Sequence, residues 1–91
     1  MAASVAELDD YSRKLGKAMR QLRQHREWSQ EHLSEVSRID RSTITQVENG
    51  RNCYVLTVAT LLHAMHYSWD DVTRVIKNFS ASQNGNGPPP V

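Results

Sequence analysis

Cysteine is nearly absent from this chain: Cys53 stands alone in 91 residues. A single thiol cannot close an internal disulfide, so a reducing cytoplasm is the simplest setting. No apolar run approaches the roughly 18 residues that a membrane span needs. The opening stretch "MAASVAELDDYS" is acidic and lacks an apolar centre, so a secretory leader is not expected. There is no competing strand pattern and no internal repeat. No catalytic set appears either. We find no supported Ser-His-Asp arrangement, no glycine-rich phosphate loop and no carboxylate pair in a plausible cleft, so an enzyme is not expected. His63 and His66 stand three apart, but no carboxylates or thiols match their spacing. Neither a metal site nor a cofactor is expected.

Net charge is also small, at +1, but it is unevenly placed. Residues 1–12 carry Glu7, Asp9 and Asp10 and no basic residue. Residues 13–51 carry nine basic residues against five acidic ones. A local basic excess suits a polyanionic partner. Within it, Arg13, Lys17 and Arg20 share one helical side and could follow phosphates.

Five helices can be read from apolar spacing. Leu15, Ala18, Met19 and Leu22 mark the first, which can extend back to Tyr11 or Leu8. Ser29 caps the second, with Leu33 and Val36 facing inward. Asp40 is placed to cap the third, which ends at Asn49-Gly50, with Ile39, Ile44 and Val47 as anchors. Val58, Leu61, Leu62 and Met65 define the fourth. Ser68 and Asp71 form a capping box for the fifth, continued by Val72, Val75, Ile76 and Phe79. The expected organisation is an acidic segment at 1–11, a domain at 12–79 and a disordered tail at 80–91. The tail is rich in Ser, Asn, Gly and Pro. The fold class is all-α: a compact five-helix domain with a helix-turn-helix at helices 2 and 3, joined by the short link "SRID".

The third helix is unusual in what it leaves outside. Behind Ile44 and Val47 it presents Arg41, Ser42, Thr45 and Gln46, with Asn49 one turn on. These side chains can read base edges: Arg pairs with guanine, Gln with adenine, and hydroxyls with either. Gln30 opens the second helix, where a side chain and a helix N-terminus can together meet a phosphate.

The stretch "LGKAMRQLRQHREWSQEHLSEVSRIDRSTITQVENGR" resembles the lambda-repressor-like, or Xre, helix-turn-helix family. The matching elements are Leu15-Gly16 and Arg20…Arg23, then Ser29-Gln30-Glu31 with Leu33, then Ser42-Thr43-Ile44 with Glu48-Asn49-Gly50. "VATLLHAMHYSWDDV" is similar to the family's fourth helix and the entry to its fifth. The resemblance covers about residues 14–76. It implies a sequence-specific DNA-binding transcriptional regulator, expected to be a repressor of bacterial or phage type. Such a protein would act as a homodimer on palindromic double-stranded operator DNA. By position, Arg41, Ser42, Thr45 and Gln46 would read bases. Gln30, Thr43, Asn49, Arg51 and Asn52 would hold phosphates. Arg23 and Glu48 would form a structural ion pair. Tyr67, Ile76 and Phe79 are the candidate dimer contacts.

The chain departs from the family pattern at five places. Arg38 and His66 stand where Gly is usual, Ser34 and Leu62 where Ala is, and Cys53 where Pro is common. A rival reading is a protein-interaction module on the same fold, an antiactivator or antitoxin-like partner with little DNA binding. No membrane partner is expected.

Overall fold

The computed structural model describes residues 5–51 and 54–83. They form five helices: α1 (Val5–His25), α2 (Gln30–Ser37), α3 (Arg41–Glu48), α4 (Val55–Met65) and α5 (Trp69–Gln83). Among the described residues there is no strand. α1 is the spine, packing against α3, α4 and α5, while α2 packs against α3 and α4.

The apolar spacing accounts for the core. Met19 and Leu22 of α1 meet Leu33 of α2, Ile44 and Val47 of α3, Val72 of α5 and four residues of α4. Those four, Val58, Leu61, Leu62 and Met65, are each no more than 2% exposed. Burying an aliphatic side chain of this size stabilises a fold by about 1.5–3 kcal/mol. Leu62, larger than the family's usual Ala, is therefore absorbed as core. One inward assignment fails: Val36 is 45% exposed. Ser37, a full turn after Leu33, takes the inner position instead.

Helix ends follow local chemistry. The Ser29 hydroxyl accepts the His32 N–H at 2.9 Å, capping α2. Asp40 occupies the cap position of α3 but makes no side-chain cap bond. Its carbonyl alone receives the N–H groups of Thr43 and Ile44. Ser68 and Asp71 form the reciprocal box at α5: the Ser68 N–H donates to Asp71 Oδ2 at 2.7 Å, and the Asp71 N–H to Ser68 Oγ at 3.3 Å. The Ser68 N–H is the main reason the Asp71 carboxyl lies below its ordinary pKa.

α1 starts at Val5, so the acidic segment is helical from there onward. α5 runs through Gln83, and residues 84–91 of the expected tail lie outside the described residues.

Two close approaches set α3 against α1. A Cβ on Gly16 would run into the Val47 carbonyl oxygen and lie 2.7 Å from that of Glu48. Glycine here lets the spine touch the end of α3. At the other side of that end, Gly50 adopts φ +82°, and a Cβ there would meet the Arg13 backbone at 3.0 Å.

Candidate nucleic-acid interface

α3 is short, and its outward face is held by groups beneath it. Arg23 grips Glu48 with two bonds, Nε to Oε2 at 2.7 Å and Nη2 to Oε1 at 3.0 Å. Its remaining nitrogen, Nη1, donates to the Trp28 carbonyl at 2.8 Å. The two side chains are only 10% and 5% exposed. Removing one member of so buried a pair strands the other and costs about 3–5 kcal/mol. The pair therefore ties α1, the start of α2 and the end of α3 into one unit.

Gln30 extends this network outward. Its Nε2 donates to Glu48 Oε1 at 3.0 Å, and its Oε1 lies 3.1 Å from the Thr45 hydroxyl, whose single proton it shares with the Arg41 carbonyl, also at 3.1 Å. The amide orientation is set by chemistry, because a carboxylate only accepts and so must face the NH₂ group. One proton of that NH₂ group is used on Glu48, and among the described residues the second has no acceptor. The first residue of α2 is thus positioned by α3 before any partner arrives.

Above this network lies a shallow cleft of about 480 Å³. Arg20, Arg23 and Arg41 line it together with Ser29, Gln30 and Asn49, and so do the carboxylates Glu31 and Glu48. With Glu48 taken up by Arg23, the guanidinium groups of Arg20 and Arg41 outnumber the remaining carboxylate, Glu31, and with the hydroxyl and amide donors they can meet an anionic oxygen. Beside the cleft, Arg41, Ser42, Thr45, Gln46 and Asn49 are exposed along α3, while Ile44 and Val47 are fully buried. Thr43 is half-buried, and Arg51 is exposed just past the helix, its N–H bonded to the Gln46 carbonyl at 2.8 Å. Asn52 lies outside the described residues, as does Cys53.

The other sequence-selected residues separate. Of Arg13, Lys17 and Arg20, only Arg20 borders the cleft. Lys17 sits 4.9 Å from the centre of the Phe79 ring, a cation–π contact that covers that ring. Arg13 backs onto Gly50. The Tyr67 ring is likewise covered, by the Arg26 guanidinium at 4.4 Å, and its buried hydroxyl has no hydrogen-bond partner among the described residues. Ile76 is half-buried and lines a cleft between α1 and α5. Among the described residues, no group of three or more His, Cys, Asp or Glu is placed to hold a metal ion.

Sequence reading did not find the Gln30–Glu48 and Gln30–Thr45 bonds. It paired Glu48 with Arg23 alone and gave Gln30 only an outward role. The signal was available in part: a glutamate with two oxygens near the end of α3 can serve two donors.

A turn-linked helix pair, the second helix polar on its outer side, defines a domain of the helix-turn-helix DNA-binding class. A family model described as "Helix-turn-helix domain" matches residues 14–77, from the spine helix into α5. The chain belongs to this family, of the lambda-repressor-like (Xre) type. No curated protein matches it. No helix is long and apolar enough to cross a membrane among the described residues.

Proposed function

We propose that this protein is a sequence-specific transcriptional regulator, a repressor, that binds palindromic operator DNA as a homodimer in the cytoplasm. The observation that carries this reading is the cleft shared by Arg20, Gln30, Arg41 and Asn49, set directly beside the exposed face of α3. A phosphate in that cleft would lay α3 along the adjoining major groove. Arg41, Ser42, Thr45 and Gln46 then reach base edges, and Thr43, Asn49, Arg51 and Asn52 hold the flanking backbone. Two copies read half-sites one helical turn apart. Bound at a promoter, the dimer excludes polymerase. The chemistry is binding alone, with no cofactor and no reaction.

Fluorescence anisotropy with genomic promoter fragments tests the reading. A specific complex that weakens steeply with salt is expected, because phosphate contacts release counterions. Arg41→Ala with Gln46→Ala should weaken operator binding by about a hundredfold while leaving non-specific binding largely intact. An unchanged affinity would remove these residues from the reading face.

One observation favours a second reading, a protein-masking module on the same fold. Tyr54, Val55 and Leu56 open α4 at 71%, 70% and 80% exposure, and exposed apolar patches mark partner surfaces. A stoichiometric protein partner that co-purifies, with no DNA retained, would support it over DNA binding.

A further inference from the structure

We infer that Thr45 recognises the methyl group of a thymine and not a hydrogen-bonding base edge. The inference rests on the DNA-reading part of the proposal above and specifies what one position of α3 selects.

The direction of hydrogen bonding at Thr45 is set from beneath the surface. Arg23 only donates, and Glu48 accepts from it through both carboxylate oxygens. A carboxylate has no proton to give, so it meets Gln30 through the amide NH₂ group, at 3.0 Å. The amide oxygen of Gln30 is thereby turned to Thr45, and an amide oxygen only accepts. The Thr45 hydroxyl is therefore the donor in that contact. On its other side stands the Arg41 carbonyl, which also only accepts. A hydroxyl has one proton, and both neighbours compete for it. None is left for the major-groove acceptors: N7 and O6 of guanine, N7 of adenine and O4 of thymine.

The same two contacts fix how the side chain is turned. Thr45 is exposed. Its oxygen is drawn back along the helix to Arg41 and across to Gln30 on α2. The group left to meet a partner is the γ-methyl. A β-branched side chain has few χ1 positions in a helix, so this methyl is held in one direction. A side chain already held loses little freedom when it is buried. Its counterpart in the major groove is the thymine C5-methyl, the apolar group that the base edges present there.

Selection from a pool of random-sequence duplexes with the full chain supplies the probe. Each thymine of the enriched duplex is then replaced by deoxyuridine, which removes only the methyl, and binding is followed by fluorescence anisotropy. One such replacement in each half-site should weaken wild-type binding by about fourfold, the effect of one buried methyl group. Thr45→Ser keeps the hydroxyl and its two contacts and removes only the γ-methyl. It should bind the thymine duplex about as weakly as wild type binds the uracil duplex, and should not respond to uracil at that position. Binding of the uracil duplex equal to that of wild type would show that this variant is folded. Thr45→Val keeps a methyl, loses the hydroxyl and should still respond to uracil. A hydroxyl oxygen that accepts from an adenine or cytosine amino group predicts the reverse: Thr45→Ser unchanged from wild type and no response to uracil. That pattern overturns the inference. So does a Thr45→Ser variant as sensitive to uracil as wild type. Both results leave the DNA reading standing, because a duplex was enriched. If no duplex is enriched, that reading fails and the inference fails with it.

Discussion

The turn between α2 and α3 and the turn between α4 and α5 meet the same problem with different means. Each reverses the chain through a non-glycine residue in the left-handed region, Arg38 at φ 66° and His66 at φ 64°. That conformation costs a side-chain-bearing residue about 1–2 kcal/mol. The α2–α3 turn is braced from inside by two serines. Ser34 donates its hydroxyl to the Ile39 carbonyl at 2.6 Å, and Ser37 accepts the Ile39 N–H at 3.1 Å. Both backbone groups of Ile39 are thereby satisfied by small side chains. The α4–α5 turn is braced from a distance. Arg26, just past α1, donates to the Met65 carbonyl at 2.9 Å and reaches that of His66 at 3.5 Å, while covering the Tyr67 ring. The α2–α3 turn is thus held by bonds within six residues of one another. The other turn is tied to the spine by a residue forty positions away in sequence.

This contrast can be broken one element at a time. Arg26→Ala should act most strongly, lowering unfolding stability by about 2 kcal/mol in urea titration, because it removes a charged helix-end bond and a cation–π contact together. Ser34→Ala should cost about 1 kcal/mol, since the Ile39 carbonyl loses its donor. Its alanine matches the family's usual residue, so a neutral result would show that the serine brace is dispensable. Arg38→Gly and His66→Gly should each raise stability by about 0.5–1 kcal/mol, the relief of left-handed strain less the greater freedom of glycine in the unfolded chain. Combining Arg38→Gly with Ser34→Ala in a double-mutant cycle measures whether the two are coupled. The smallest effect concerns acid. Asp71 has a lowered pKa in the folded chain, held there chiefly by the Ser68 N–H. A depressed carboxyl adds stability above its unfolded pKa and loses it as pH falls through the folded value. Asp71→Asn should therefore flatten the acid limb of the stability curve by lowering stability slightly in the neutral region, with little change at the acid end, as urea titration across pH would show.

Five helices, their order and most of their inner faces were legible because apolar spacing is a local property. Ile44, Val47 and the four core residues of α4 fall where the period places them. Val36 misled because an eight-residue helix has room for only two inner positions, and Ser37 took the second. The start of α1 was blurred for the opposite reason: the pattern runs on past the core, to Leu8. What sequence could not reveal is which distant backbone group a long side chain would find. Arg26 at the Met65 carbonyl and Gly16 against the Val47 and Glu48 carbonyls are products of helix packing. The family resemblance marked Leu15-Gly16 and flagged Arg38 and His66 as replacing glycine. The physical reason, a left-handed backbone at both, needed the structure. In the candidate site, the pattern selected the outward face of α3, but not the bonds that join Gln30 to Thr45 and Glu48.

Those bonds make the outward positions of α3 unequal. Among the described residues no side chain bonds to Ser42, and Arg41 is engaged only through its carbonyl, by Thr45. Thr45, by contrast, is wired through Gln30 to Glu48 and so to Arg23. Substitution at Arg41 or Ser42 would therefore disturb no side-chain bond within the described fold. Thr45 is a fixed stem, where any new chemistry would be felt in the grip of the helix on the rest of the molecule.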